Sequence, residues 1–326
     1  MLNSIYIKGL FNLYTYRIDL GASSGSKIHF LTAPNGYGKT TVLDIVSSII
    51  KGDFAALMDI PFKEVSLVFG HNELSVLRTE TYPSVEDDTD EDIKPVVSLI
   101  VTLKDHGNEV ESILLNALSF GSYSSDFSND FHAGTRSVNI DMFLRSFSCN
   151  YIKDDRFLEK KTDRGESQFL MSKVSIQEEY AKKLKAILND PLETQKYSER
   201  IALFKTVVNG LGLSNKELEI QPSFGFRILS KDKKRTIIPL DRLSSGEKHI
   251  LVQLCEMLFR SQEGTLVLID EPELSLHMAW QYQYLPVIKK IEALCGFQFL
   301  IATHSPQIFN AEWSLTTDLF MSAQEK

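Results

Sequence analysis

Residues 27–50 read KIHFLTAPNGYGKTTVLDIVSSII. The opening apolar run, residues 27–33, has the character of a buried strand, and VLDIVSSII carries the apolar periodicity of a helix. Between them APNGYGKT, residues 33–40, fits the phosphate-loop pattern G-x-x-x-x-G-K-[ST], with Ala33 in place of the first glycine. A methyl group is tolerated there where the backbone is not left-handed. Gly36 and Gly38 let the backbone curl around an anion, successive N–H groups point at phosphates, and the helix N-terminus adds its dipole. In such a loop Lys39 bridges the β- and γ-phosphates and Thr40 holds Mg2+ through its hydroxyl. Asn35, Gly36, Tyr37, Gly38, Lys39, Thr40 and Thr41 are therefore the candidate cradle for ATP, and the strand–loop–helix order sets an α/β fold.

A second stretch, LVLIDEP at residues 266–272, has the same logic. Four apolar residues bury a strand in a parallel sheet. Asp270 and Glu271 emerge at its carboxyl end, where ligands bind in open α/β sheets. Asp270 is placed to hold the metal, directly or through water, and Glu271 to polarise an attacking water as general base. A solvated strand end is the bland alternative, and the phosphate loop outweighs it. LSSGE, residues 243–247, opens a helix and by itself reads equally well as an ordinary N-cap. IATHSP, residues 301–306, ends another strand in a polar loop that carries His304.

In this order the four stretches resemble ABC-type ATPases. LSSGE resembles the signature L-S-G-G-Q, with Ser245 for the first glycine and Glu247 for the glutamine. The resemblance implies that Ser244, Ser245, Gly246 and Glu247 of one subunit close on the γ-phosphate held by another, so that two sites form when two copies meet head to tail. It implies that His304 is the switch histidine that touches the γ-phosphate. It also places ELSLH, residues 273–277, as the loop crossing the dimer interface, with Ser275 and His277 near the partner's site.

The fuller local pattern is IKGLFNLYTYRIDL, APNGYGKTTVLDIV, LSSGEKHI, IDEPELSLHMAWQ and IATHSPQIFNAEWSLTTDL. It is similar to the RecF, SMC and OLD-like branch, and within it to the compact ATPases of anti-phage systems, the AriA type of PARIS and the PtuA type of Septu. That likeness implies a slow cytoplasmic ATPase using ATP and Mg2+, a homodimer or higher homo-oligomer, and a sensor or scaffold role over a separately encoded nuclease or toxin effector. The runner-up is a RecF-like repair or chromosome-maintenance ATPase that binds DNA. A transporter motor would require a coupling groove and a glutamine loop, and neither is evident.

The resemblance rests on the two ends, about residues 1–50 and 240–318. The expected division is an N-terminal lobe over 1–158, a helical insertion over 159–222, and a C-terminal lobe over 223–326. Helical patterns at about 176–189 and 194–211 are separated by Pro191. The glutamine loop has no secure counterpart; YIKDDRFL, residues 151–158, is nearest by layout. Arg156 there either meets the nucleotide or pairs with Asp154 or Asp155. Phe11, Tyr14 and Tyr16 are unseparated candidates for stacking on adenine.

Bulk composition agrees with an intracellular globular protein. Of 326 residues 43% are hydrophobic and 24% charged, an ordinary balance for a packed core. The net charge of -8 supplies no basic field, so any DNA contact needs a local patch. Lys231, Lys233, Lys234 and Arg235 in one turn, and Lys182, Lys183 and Lys185 on a helix, are the candidates. Cys149, Cys255 and Cys295 are dispersed and suggest neither a disulfide framework nor a metal cluster. The acidic run at 85–94 reads as a solvated loop. No apolar run is long enough to span a bilayer, so no membrane partner is expected.

Overall fold

The computed structural model describes residues 1–21, 25–82, 95–116, 138–153, 173–210, 213, 215–274 and 276–324. The acidic run, Asp154, Asp155, Arg156 and Ser275 lie outside the described residues. Two compact units are present, one formed by Met1–Cys149 with Ser314–Lys326, the other by Asn150–Trp313.

The first unit opens with β1 (Ser4–Leu10), β2 (Tyr14–Asp19) and β3 (Ile28–Thr32), then α1 (Lys39–Lys51) and α2 (Ala55–Met58). It continues through β4 (Glu64–Phe69), β5 (Asn72–Thr81), β6 (Val96–Asp105), β7 (Asn108–Asn116) and α3 (Val138–Arg145). The second unit holds β8 (Cys149–Ile152, its first residue at the boundary), α4 (Lys173–Asn189), α5 (Pro191–Gly210), β9 (Lys216–Gln221), β10 (Gly225–Ser230) and β11 (Ile237–Ile238). It ends with α6 (Ser245–Cys255), β12 (Leu266–Asp270), α7 (Met278–Cys295) and β13 (Gln298–Thr303). β14 (Thr316–Asp318) and α8 (Leu319–Gln324) return to the first unit.

The first unit carries an antiparallel sheet in the order β2-β1-β4-β5-β6-β7. Alternation makes it: Ile5 and Ile7 of β1 and Tyr16 and Ile18 of β2 are buried, with more exposed residues between them. A bulge between Lys8 and Leu10 breaks the register at Gly9, whose φ is +69°. Leu10 is buried as a result. Beside this sheet β3 pairs in parallel with β14. α1 is apolar on a broad face, with Val42, Leu43, Ile45, Val46, Ile49 and Ile50 buried. It stops at Gly52, left-handed at φ +72°, where Asp53 N–H reaches the Ser48 carbonyl and closes a Schellman turn.

β4 and β5 form a hairpin whose turn is Gly70–His71. α3 begins at Val138 and packs beside β7. The α3 backbone amides of Asn139 and Ile140 donate to the Glu111 carboxylate on β7, and its Phe143 meets Phe69 edge-on at 5.5 Å.

In the second unit β12 and β13 are parallel neighbours, and β8 flanks β12. Both central strands are continuous apolar runs, as strands covered on two faces require. The two helices of the expected insertion are α4 and α5, with Pro191 as the first residue of α5, where its missing N–H costs nothing. β9, β10 and β11 form a separate antiparallel sheet, so strand β9 also lies within the span expected to be helical. Phe204 of α5 meets Phe226 of β10 and Phe259 edge-on, at 5.8 and 5.3 Å, and fills the space between. α6 runs into one π-helical turn, Glu256–Arg260. Arg200 donates to the Leu258 and Ser261 carbonyls at 3.2 and 3.0 Å, meeting acceptors at the end of that turn.

Candidate nucleotide site

In the first unit, residues 33–38 turn the chain from β3 into α1. Gly36 and Gly38 are left-handed, at φ +89° and +76°. At Gly36 only the backbone angle demands glycine, since an added Cβ would meet open space. At Gly38 it would also lie 2.9 Å from Leu10 Cδ2 and 3.3 Å from Phe11 Cε2. Gly38 is the N-cap of α1, and no side chain caps that terminus. This is the geometry in which an anion can serve as the cap.

Lys39 is 5% exposed. Its ammonium donates to the Ala33 carbonyl at 3.1 Å and the Pro34 carbonyl at 3.5 Å, folded back over its own loop. The loop apex is pinned by Tyr16, whose hydroxyl donates to the Tyr37 carbonyl at 2.8 Å. Burial pushes the Tyr16 hydroxyl pKa well above its usual value and keeps it a donor. The Tyr37 ring lies 5.3 Å from Tyr14 and 5.3 Å, edge-on, from Phe320. The three aromatic candidates now separate. Tyr16 is core, Tyr14 packs on Tyr16 and Tyr37, and Phe11 is 37% exposed beside Gly38.

In the second unit, β12 delivers Asp270 and Glu271 as expected. Glu271 is left-handed at φ +46°, a conformation that costs a residue with a Cβ about 1–2 kcal/mol. Its N–H donates to the Ala302 carbonyl at 2.9 Å. That turn aims its carboxylate at His304, with Nε2 and Oε1 2.9 Å apart. Two residues proposed from separate stretches of sequence are therefore in direct contact. Glu273, buried, accepts the His304 N–H at 2.7 Å and fixes the histidine loop from beneath. The Ser305 hydroxyl lies 2.7 Å from Gln281 Oε1 and 2.6 Å from Gln307 Oε1. The sequence reading gave Glu273 no role beyond opening the crossing loop. Its signal was a carboxylate three residues past Asp270. His277 caps α7, its Nδ1 accepting the Ala279 N–H at 3.3 Å.

The signature stretch is a complete capping box. Ser244 is the N-cap of α6, its hydroxyl accepts from Glu247 N–H at 3.3 Å, and its own N–H donates to Glu247 Oε2 at 2.8 Å. The Glu247 side chain is only 7% exposed. Lys216, on β9, grips it with Nζ 2.7 Å from Oε1 and 2.8 Å from Oε2. Burial pushes the Glu247 pKa up, but bonds from Lys216 and Ser244 outweigh it and leave it lowered. Sequence reasoning missed Lys216, since nothing in KELEIQ marks it. Ser245 and Gly246 form the first turn of α6.

The metal donors proposed here are the Thr40 hydroxyl and the Asp270 carboxylate. Both are hard oxygens and suit Mg2+, which prefers one or two protein ligands completed by phosphates and water. Among the described residues no group of three or more His, Cys, Asp or Glu could hold a metal ion by itself.

Residues 28–310 match the family described as "AAA domain, putative AbiEii toxin, Type IV TA system". The chain is 34% identical over 108 residues to the Retron Ec83 probable ATPase of Escherichia coli, a match covering 30% of this chain and 19% of that protein. Among solved structures it resembles the SmcHead bound to the C-winged helix domain of ScpA, with a TM-score of 0.50 and 15% identity over 95% of this chain and 91% of that one. A Pyrococcus furiosus Smc head with an extended coiled coil gives a TM-score of 0.46 at 14% identity, covering 95% and 91%. The mixed α/β fold with parallel strands is that of the P-loop ATPase heads. The chain therefore belongs to the AAA domain family described as putative AbiEii toxin, Type IV TA system.

Proposed function

We propose that this chain hydrolyses ATP slowly, that its signature loop acts on nucleotide held by a second copy, and that it serves as a sensor or scaffold over a separate nuclease or toxin effector. The observation that carries the ATPase reading is the phosphate loop: two left-handed glycines, a helix N-terminus without a side-chain cap, and a buried lysine turned onto the loop. Lys39 neutralises the phosphates. Thr40 and Asp270 would hold Mg2+, which would supply charge neutralisation at the β- and γ-phosphate oxygens. Glu271 orients and deprotonates the attacking water, and His304, in contact with Glu271, reports the γ-phosphate. Ser244, Ser245, Gly246 and Glu247 face the nucleotide of the partner copy, and His277 lies close to that interface. The defence role draws on the retron ATPase likeness and the AbiEii family description.

The test is mass photometry with a phosphate-release assay on the wild type and Glu271→Gln. The variant is expected to bind ATP, lose at least 100-fold in turnover, a typical loss for a general base, and accumulate as dimer or larger with ATP and Mg2+. Turnover near wild type would remove Glu271 from the chemistry. A mass indifferent to ATP would overturn the trans arrangement.

A DNA-binding role is the second reading. The turn between β10 and β11 presents Lys231, Lys233 and Lys234 exposed. Its shape is set by Asp232, whose Oδ1 accepts from the Lys234 and Arg235 amides at 3.1 and 2.9 Å. Duplex binding that weakens steeply with salt supports this reading, and no binding at low salt removes it.

A further inference from the structure

The signature loop contains a charge that an anion site should not have. A buried carboxylate, Glu247, lies in the first turn of α6, where the proposed reading brings the γ-phosphate of the partner copy. A neutral amide there would keep the capping box and add no negative charge. Unpaired, a carboxylate would cancel the helix dipole and repel the phosphate. Lys216 removes that conflict. Its ammonium sits 2.7 and 2.8 Å from the two carboxylate oxygens, itself 25% exposed. It comes from β9, on the sheet that also bears the basic turn, and not from the signature segment.

We infer that Lys216 is a positioning residue of the nucleotide reaction: it neutralises Glu247, so that the capped end of α6 can accept phosphate from a second copy. This rests on the trans-signature reading above. Lys216 does not touch the nucleotide; it acts through Glu247. The capping box holds the α6 terminus in shape, and Lys216 sets its charge. A lysine lost from β9 would leave the fold of the loop in place and an uncompensated negative charge at the docking point. Salt would mask part of the defect by screening.

The experiment uses full-length protein carrying Glu271→Gln, titrated with ATP and Mg2+ and weighed by mass photometry, with melting temperature followed in parallel. Lys216→Met is expected to raise the ATP concentration for half-maximal assembly at least tenfold, and raised salt is expected to narrow the gap. Lys216→Arg should stay within about threefold of the parent. The decisive variant is Lys216→Met with Glu247→Gln, which has no charge to compensate and keeps a capping side chain. It should assemble at a severalfold lower ATP concentration than Lys216→Met alone, and it remains informative even if Lys216→Met alone melts low. Two results overturn the inference: Lys216→Met assembling at the parent's ATP concentration, or the double variant staying as defective as the single. If the Glu271→Gln parent itself fails to assemble with ATP, the trans-signature reading falls, and this inference with it.

Discussion

His29 lies on β3, one strand from the phosphate loop, with Nε2 2.8 Å from the Thr317 hydroxyl on β14. Burial lowers its pKa to about 4, with Asp19 pulling weakly the other way. The unfolded chain therefore takes up a proton at higher pH than the folded one. Stability from the neutral ring is complete above about pH 6.5 and drains away as pH falls toward 4, by up to about 3 kcal/mol. Urea midpoints across that window are expected to fall in the wild type and to fall less in His29→Gln. A parallel slope in the two proteins would remove His29 as the cause. At this same scale the sequence was most legible. The placing of Gly36, Gly38 and Lys39 in a strand-to-helix turn, and of Asp270 with Glu271 at a strand end, was readable because glycines before a helix and carboxylates after an apolar run mark those positions. Lys216 was not, because an ion pair across 31 positions leaves no local pattern.

Elements were legible where their periodicity was strong. α1, β12 and β13 announce themselves as apolar runs between turn residues, and the hairpin β4–β5 as alternation. β7 and β9 went unread because NEVESILLN and KELEIQ alternate charge with apolar residues and can pass for exposed helix. Only their pairing with β6 and β10 makes them strands. The packing of α4 on β10 was equally invisible, and it turns on one position. Gly225 has φ +81°, and a Cβ there would lie 1.9 Å from the Ala181 carbonyl oxygen. That contact is with backbone, so no side chain can move aside. Gly225→Ala is expected to cost at least about 2 kcal/mol, from left-handed strain together with the clash. Thermal melting reads it directly, and a loss under about 0.5 kcal/mol would show that α4 can shift without penalty.

For the molecule as a whole, binding and stability are one measurement. A ligand that binds only the folded state adds RT ln(1 + [L]/Kd), about 2.7 kcal/mol at a hundredfold excess over Kd. ATP is expected to raise the melting temperature of the wild type. Lys39→Ala should show no ATP-dependent rise, and Glu271→Gln should keep it. An undiminished rise in Lys39→Ala would mean that the stabilising nucleotide sits elsewhere. Fold class and family were legible at this scale from four short motifs, whereas the antiparallel sheet of the first unit was legible only in parts. The strand bulge at Gly9 brings one last point. It leaves Leu10 against Gly38, so the floor of the phosphate loop is laid by a strand that precedes it in the chain. In a saturation-mutagenesis map scored by ATP turnover, sensitivity should therefore spill from the loop into β1. Leu10 would look like an active-site residue to selection while being, chemically, a floorboard.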